Sequence, residues 1–531
     1  MYVYLLLLSV VIIACVIFNK ISSKLGIPML FAFIVFGMFF GTDGVIKIPF
    51  ESYEFAEKLC SFALIFIMFY GGFGTKWKEA KKVAGKAILL SFFGVILTAG
   101  LTGLFCHFVL KINILESFLI GAVISSTDAA SVFAILRSKR LNLKYNTAPL
   151  LEVESGSNDP SAYMITAVIL RIMDSGITMN GIVAMLFKQI VLGAAAGVLI
   201  AYFSVFFLKK FKFATDGFDA IFVLAIAILA YALPSAIGGN GYLSAYIVGI
   251  ILGNSKISHK KSLVHFFDGV TGLMQMLLFF LLGLLAHPVE LLDVFFVALG
   301  IFVFLTLVAR PVSVFLLLTP FKCNLRQQLL VMWSGLRGAA SVVFAVMVKI
   351  SDVTTNNDLY HIAFLIVLFS IMIQGSLIPA VARKLDMIDD ADDVMKTFND
   401  YSSEVPIQFI QFRIDENHHW NQKSLSEIQL PPDTLVVLLE RNGEKIVPNG
   451  NTIIQEGDKV ILSAISTEVT EGVQLVEKVI EKDDEWNHMK LCDIPKESDM
   501  LIIMIQRNGT VMIPNGDTII QEQDKLVMNM A

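Results

Sequence analysis

Glu154, Ser155, Asn158 and Asp159 fall close together in a stretch that is otherwise apolar and long enough to cross a bilayer. Ionisable groups in hydrocarbon are costly unless they line a water-filled path or pair with one another. Helical spacing puts Glu154 with Asn158, and Ser155 with Asp159, one turn apart on overlapping faces. Pro160 lacks a backbone donor and is expected to kink the helix, leaving carbonyl oxygens near Asn158 and Asp159 short of partners. A carboxylate, an amide oxygen, a hydroxyl and freed carbonyls form an all-oxygen set suited to a hard monovalent cation. Asp159 is also a titratable base, so one group holds either a proton or a cation, the minimum machinery for exchange. Polar side chains that only tie helices together would explain Ser155 and Asn158, but two carboxylates poorly.

The preceding apolar stretch, LIGAVISSTDAASVFAILR, places Ser125, Ser126, Thr127 and Asp128 at its centre, a composition compatible with an unwound segment. A comparable interruption, WSGLRGAAS, sets Gly335 and Gly338 on either side of Arg337. Broken helices at mid-membrane offer carbonyls and half-helix ends to ions, and a pair of them, one in each half, is the pattern of inverted repeats. Arg310, near the middle of another apolar stretch, needs a counter-charge, and Glu154 is the best candidate because Asp159 must stay free to titrate. Tyr70 ends the third span, where the choice is between lining an entrance and, the preferred reading, an interfacial aromatic. Gln374 is read as a packing residue of the last helix. Histidines 107, 259, 265 and 287 fall at span ends or loops and are not nominated as proton carriers. The sequence has no phosphate-cradling Gly-rich loop, no HExxH and no GxSxG in a strand–helix setting, so an enzyme reading has no support and no cofactor is expected.

The elements that must hold these residues are membrane spans. Of the 531 residues, 56% are hydrophobic and 16% charged, against about a quarter charged in a soluble domain. The apolar surplus is confined to 1–384. Thirteen stretches are long enough to span, at about 2–18, 25–42, 53–72, 83–110, 115–137, 147–171, 183–208, 217–235, 240–254, 264–286, 291–319, 327–349 and 358–383. Alternate connections are basic (Lys20 and Lys24, Lys76 to Lys86, Arg137 to Lys144, Lys209 to Lys212, Lys256 to Lys261, Lys322 and Arg326), and the intervening ones are poor in Lys and Arg. The positive-inside tendency puts the basic set in the cytoplasm, the N-terminus outside and the tail inside, in a multi-pass plasma-membrane protein. The N-terminal stretch lacks the basic leader and cleavage site of a signal peptide and reads as a retained first helix. Five scattered cysteines give neither a disulfide framework nor a zinc site.

After an acidic linker at 385–402 the pattern turns to short strands. LVVLLERNGEKIVPNGNTIIQEGDKVIL, starting at 435, recurs as LIIMIQRNGTVMIPNGDTIIQEQDKLVM, starting at 501, a displacement of 66 positions. Each unit reads strand, Arg-Asn-Gly turn, strand, Pro-Asn-Gly turn, acidic turn, strand, with Asn442-Gly443 and Asn449-Gly450 supplying turn geometry. The fold expected is therefore an all-α polytopic membrane domain of about thirteen helices, with inverted repeats and two broken helices, followed by small α+β cytoplasmic modules at 403–466 and 467–531.

TDAASVFAIL followed by LEVESGSNDP, then ARPV and GLRGAAS, resembles the monovalent cation:proton antiporter family over nearly all of 1–384, and the tail resembles the C-terminal module of regulators of potassium conductance, present twice. The combination is similar to potassium/proton antiporters of the cell-volume-regulation type. The resemblance implies electroneutral exchange of potassium or sodium for protons by alternating access, a homodimer in lipid, a tail that regulates and binds a small ligand, and no nucleic-acid partner. It implies that Asp159 is the carboxylate shared by cation and proton, and that Asn158 marks the electroneutral branch. Thr127 and Ser155 correspond to cation-site hydroxyls, Asp128 to a neighbouring acid, and Glu154 with Arg310 to a structural ion pair. Tyr70 stands where many relatives carry an acid. The alternative reading is a ligand-gated monovalent cation channel with the tail as its sensor.

Overall fold

The structure is a computed structural model that describes residues 2, 9–17, 29–138, 141–211, 213, 217–257, 260–389, 407–416, 418–431, 434–441, 444–465, 474–480, 484–494, 500–507, 510–512 and 514–530. Lys20, Lys24, Lys212, His259, most of the acidic linker and the Asn442-Gly443 turn lie outside the described residues. The chain divides into two compact units, Met1–Ser402 and Ser403–Ala531.

The first unit is helical: α1 (9–17), α2 (Met29–Phe40), α3 (Tyr53–Gly74), α4 (Trp77–Leu89), α5 (Val95–Phe108), α6 (Ile114–Val123), α7 (Ala129–Ser138), α8 (Thr147–Ser175), α9 (Met179–Lys210), α10 (Phe218–Ala236), α11 (Gly241–Asn254), α12 (Lys260–Leu284), α13 (Pro288–Phe304), α14 (Arg310–Leu318), α15 (Leu325–Trp333), α16 (Ala339–Lys349), α17 (Leu359–Phe369) and α18 (Ser376–Lys384). Single π-helical turns join α4 to α5, α13 to α14 and α17 to α18. Among the described residues, seven helices are long and apolar enough to cross a membrane, and four shorter apolar helices accompany them. Although α8 has 29 residues, it carries Glu152, Glu154, Asp159, Arg171 and Asp174 and is not among the seven. It runs through Pro160 without a break, so the carbonyl released by the missing donor is that of Gly156, one turn earlier than the expected kink would place it.

Two bundles are distinguishable by packing. In one, α3 lies on α11 and α12, α12 on α2, and α9 and α10 on α11; in the other, α5 packs on α6, α4 and α6 on α8, and α13 and α16 on α17. Small residues set the closest approaches, as in membrane interfaces generally. A Cβ at Gly249 of α11 would overlap the Phe69 carbonyl of α3, and one at Gly283 of α12 would overlap the Ile34 carbonyl of α2. The bundles meet where α8 and α16 face α3 and where α8 faces α11.

Two helix pairs share one layout. An Asn caps each first half: Asn113 accepts from the Leu115 N–H, and Asn324 from the Arg326 N–H. Half-helices of 10 and 9 residues follow, then extended segments at 125–128 and 335–338, then α7 and α16. These extended segments leave backbone groups without intrahelical partners, which in hydrocarbon must be met by protein or water.

The second unit holds two four-stranded antiparallel sheets of identical order, β1-β4-β2-β3 and β5-β8-β6-β7. Their strands are β1 (Ile407–Arg413), β2 (Thr434–Arg441), β3 (Glu444–Ile446), β4 (Lys459–Ile465), β5 (Gln474–Val479), β6 (Met500–Arg507), β7 (Thr510–Met512) and β8 (Lys525–Met530). Even the register shift repeats, between Val436 and Leu438 in one sheet and between Ile502 and Met504 in the other. In each sheet an Arg at the end of the second strand forks onto a fully buried Asp in the acidic turn: Arg441 onto Asp458 at 2.7 Å through both oxygens, and Arg507 onto Asp524 at 2.8 and 2.6 Å. The same guanidinium donates to a backbone carbonyl, Ile453 or Ile519, and the Asp accepts the N–H of Gln455 or Gln521. Sequence reading gave these positions to turn geometry alone; they are the polar pin of each module. Burial opposes charge on Asp524, but the Arg507 bonds and the Gln521 N–H hold its carboxyl below the ordinary value of 3.8. Its contribution to stability is thus present above that value and lost as pH falls through the lowered one. Arg441→Met, which leaves Asp458 buried and unpaired, is expected to destabilise the first module by about 3 kcal/mol. Hydrogen exchange of the full chain reads this as faster exchange in β2 and β4 with β6 and β8 unaffected.

Candidate functional site

The extended segments 125–128 and 335–338 cross each other beside α8. The Asp128 N–H donates to the Leu336 carbonyl at 2.8 Å, so the two breaks share a backbone hydrogen bond. Arg337, 1% exposed, reaches across and donates through Nη1 to the Ser125 and Ser126 carbonyls at 2.6 and 2.8 Å. It thereby places a positive charge at the carbonyl end of α6, where the helix dipole favours a cation. The Arg337 N–H is itself held by Ser370 Oγ at 2.9 Å, and Ser370 donates to Gln374 at 2.7 Å. Gln374 Nε2 and Trp333 Nε1 exchange bonds with each other's carbonyls, so the predicted packing residue also fastens the second break.

Glycine is required at both flanks of Arg337. A Cβ at Gly338 would overlap the Asp128 side chain, and one at Gly335 would lie 2.8 Å from Arg310 Nε. Gly338→Ala is expected to push the two breaks apart and lower transport per inserted protein by about tenfold, measured as flux normalised to protein in the vesicle.

Facing this crossing, α8 presents its polar residues. Ser126 Oγ donates to Asp159 Oδ1. Asn158 Nδ2 donates to Thr127 Oγ1, and Ser155 Oγ donates to the Thr127 carbonyl at 2.6 Å. Asp128 caps α7 by accepting from Ser131 N–H at 3.2 Å and from its hydroxyl. Thus Asp159, Asn158, Ser155, Thr127 and Asp128 are gathered at one place, and Ser126, which sequence reading left in the unwound segment without a role, makes the bond to Asp159. Its signal was present: a hydroxyl inside the predicted break. All the groups offered here are oxygens, and Asp159 is buried with no Lys or Arg against it among the described residues.

Glu154 points the other way. Its carboxylate meets Arg310 Nη1 at 2.6 Å with both side chains almost wholly buried, and Arg310 Nη2 reaches the Val331 carbonyl at 3.4 Å. The pair links α8, α14 and α15 and leaves Asp159 out of any salt link.

A cavity of about 400 Å³ leads to Asp159 between α8 on one side and α3 and α12 on the other. Along α3 it is lined from Leu64 to Gly71, along α8 from Glu152 to Asp159, and along α12 from Asp268 to Phe279. On α3 and α8 these are the halves nearer the basic connections, and on α12 the lining runs across the middle of the helix. Tyr70, expected at the interface, is instead buried in this wall, and its hydroxyl donates to Asp268 at 3.2 Å. A second cavity lies beyond, lined by Tyr163, Arg171, Lys188, Tyr231 and Tyr242. Tyr163 is one turn along α8 from Asp159, roughly 6 Å of rise. Its ring packs against Tyr242 at 5.4 Å and Phe344 at 5.9 Å, so a single aromatic layer separates the two cavities on this helix.

One further cluster went unnoticed in the sequence. His361, fully buried, donates from Nδ1 to Asp358 at 2.6 Å and lies 3.3 Å from Glu290. The His287 N–H donates into its Nε2 at 3.1 Å, which fixes the tautomer and leaves the ring no lone pair for a metal. This cluster therefore ties the α12–α13 connection to the start of α17.

Comparison with known proteins agrees with this architecture. The family model described as sodium/hydrogen exchanger, transmembrane, matches residues 7–384, and the TrkA-C domain matches twice, over 409–471 and 475–528. The chain is 32% identical over 462 residues to a protein named K(+)/H(+) antiporter NhaP from Alkalimonas amylolytica, covering 86% of this chain and 80% of that one. It is 31% identical over 449 residues to K(+)/H(+) antiporter NhaP2 of Shewanella sp. (strain MR-4), covering 83% and 78%. The solved sodium proton antiporter MjNhaP1 from Methanocaldococcus jannaschii superposes with a TM-score of 0.64 at 25% identity, over 72% of this chain and 98% of that one. With broken helices crossing beside a buried carboxylate, and the transmembrane model matched from end to end of the helical unit, the chain belongs to the sodium/hydrogen exchanger family, a family of cation/proton antiporters.

Proposed function

We propose that this protein exchanges potassium or sodium for protons electroneutrally, by alternating access to Asp159. The observation that carries the proposal is a titratable carboxylate outside any salt link among the described residues, buried at the helix crossing, in reach of one cavity and one aromatic layer from another. With Asn158 rather than an acid next to it on α8, Asp159 takes one passenger: either a proton, or a cation held by Asp159, Asn158, Ser155, Thr127 and Asp128. In either state the charge on Asp159 is neutralised, and the bundle that carries α8 moves; with neither bound, an uncompensated carboxylate opposes passage through the apolar layer. Glu154 and Arg310 keep α8 in place without taking part in the exchange.

Counting each pair of half-helices once, and each pair joined by a π-helical turn once, the reading has thirteen crossings, with the N-terminus outside and the basic connections and tail in the cytoplasm. The large cavity then faces the cytoplasm. Potassium is favoured by the names of the relatives, and a homodimer in lipid and a tail that adjusts transport in response to a small ligand complete the reading. The units 1–384, 385–402, 403–466 and 467–531 are its functional divisions.

In proteoliposomes, an inward proton gradient is expected to drive potassium outward against its own gradient. Repeating the assay with sodium sets the preference between the two. Downhill cation flux without uphill exchange is the behaviour of a channel and would remove the proposal.

A further inference from the structure

We propose that the cavity wall opposite Asp159 holds a second monovalent-cation site, built on α12 from Asp268 and Thr271, where the ion lodges before it reaches Asp159. The proposal rests on the exchange reading above but concerns a different helix, in the bundle that does not carry Asp159.

Four carboxylates line the cavity, Asp128, Glu152, Asp159 and Asp268, with no Lys, Arg or His among its lining residues. Concentrated negative charge in a low-dielectric cleft raises the local cation concentration. Charge alone makes no site, but α12 adds geometry. It contributes Asp268, Thr271, Gly272 and Gln275, at spacings of three, four and seven residues that share one helix face. The Tyr70 hydroxyl fixes the Asp268 carboxylate on this wall at 3.2 Å. Thr271, one turn deeper, lines the cavity and is 7% exposed, and its buried hydroxyl oxygen has no hydrogen-bond partner among the described residues. Leaving such a group unpaired is unfavourable, and a cation sharing its oxygen shell with Thr271 Oγ1 relieves that. Space for the ion is present too: nothing lies within 4 Å of where a Cβ would stand at Gly272 or at Gly71 across the cavity. A carboxylate, a buried hydroxyl and an open glycine face suit a weakly held, partly hydrated monovalent ion. Because α3 and α12 pack together while α8 belongs to the other bundle, an ion moving from Asp268 to Asp159 passes from one bundle to the other.

Thallium(I) binding to the full-length protein in nanodiscs tests this, at a pH where Asp159 is ionised. Wild-type protein is expected to bind two thallium ions per protomer, Asp159→Asn one, and Asp159→Asn with Asp268→Asn none. In flux assays, Asp268→Asn and the isosteric Thr271→Val should each raise the half-saturating cation concentration about fivefold, a larger change than in maximal rate. Loss of all thallium in Asp159→Asn alone, or an unchanged half-saturation in both α12 variants, overturns the second site. Thallium lost on Asp268→Asn in a protein without proton-coupled flux supports the site and overturns the exchange reading instead.

Discussion

Asp159→Asn is expected to lower cation/proton exchange by about 100-fold or more, the scale on which a positioned proton-transfer group contributes. The side chain changes little in size, and an amide still accepts from Ser126. What disappears is the capacity to lose a proton and gain a cation in its place. Asn158 cannot take over, because its amide is already committed to Thr127 and carries no charge. Ser126→Ala should do less, a several-fold loss matching one hydrogen bond of about 1 kcal/mol. Near-normal exchange in Asp159→Asn, with protein inserted at wild-type levels, would leave the site with no chemistry to perform.

The second large effect concerns stability. Glu154 and Arg310 are both buried at 2.6 Å from each other, and Gly335 leaves room for the guanidinium. Removing one partner strands the other in a medium that solvates charge poorly, so Glu154→Gln or Arg310→Met alone should destabilise the protein by about 3–5 kcal/mol. Replacing both should cost clearly less than the sum. A double-mutant cycle on denaturation of purified protein measures the coupling, and strictly additive losses would mean that the pair is a contact without consequence.

How much of this was legible beforehand follows from which signals are local. The broken helices could be read because Ser125 to Asp128 and Gly335 to Gly338 interrupt apolar runs, and small or polar residues inside such runs are conspicuous. Arg310 was matched to Glu154 because a buried charge demands a partner and few were available. The bond from Ser126 to Asp159, the cavity wall at Asp268 and the bond from Tyr70 to Asp268 were not legible. Each depends on which helices become neighbours, and that is decided by close approaches such as Gly249 against Phe69, far away in sequence. At Pro160 the helix stays continuous, and the carbonyl that the missing donor frees is that of Gly156 rather than one beside Asn158 and Asp159. In the tail, the repeat announced two modules of one design, yet the Arg441–Asp458 and Arg507–Asp524 pins escaped notice because both partners also suit turns.

The central idea, a single carboxylate that hosts one passenger at a time, is tested most directly by proton release on cation binding. Purified protein in weakly buffered solution, at a pH where Asp159 is protonated, is titrated with potassium or thallium(I) while pH is followed. Close to one proton released per protomer is expected at saturation, and none from Asp159→Asn. Cation binding without proton release, or release that persists in Asp159→Asn, would contradict it.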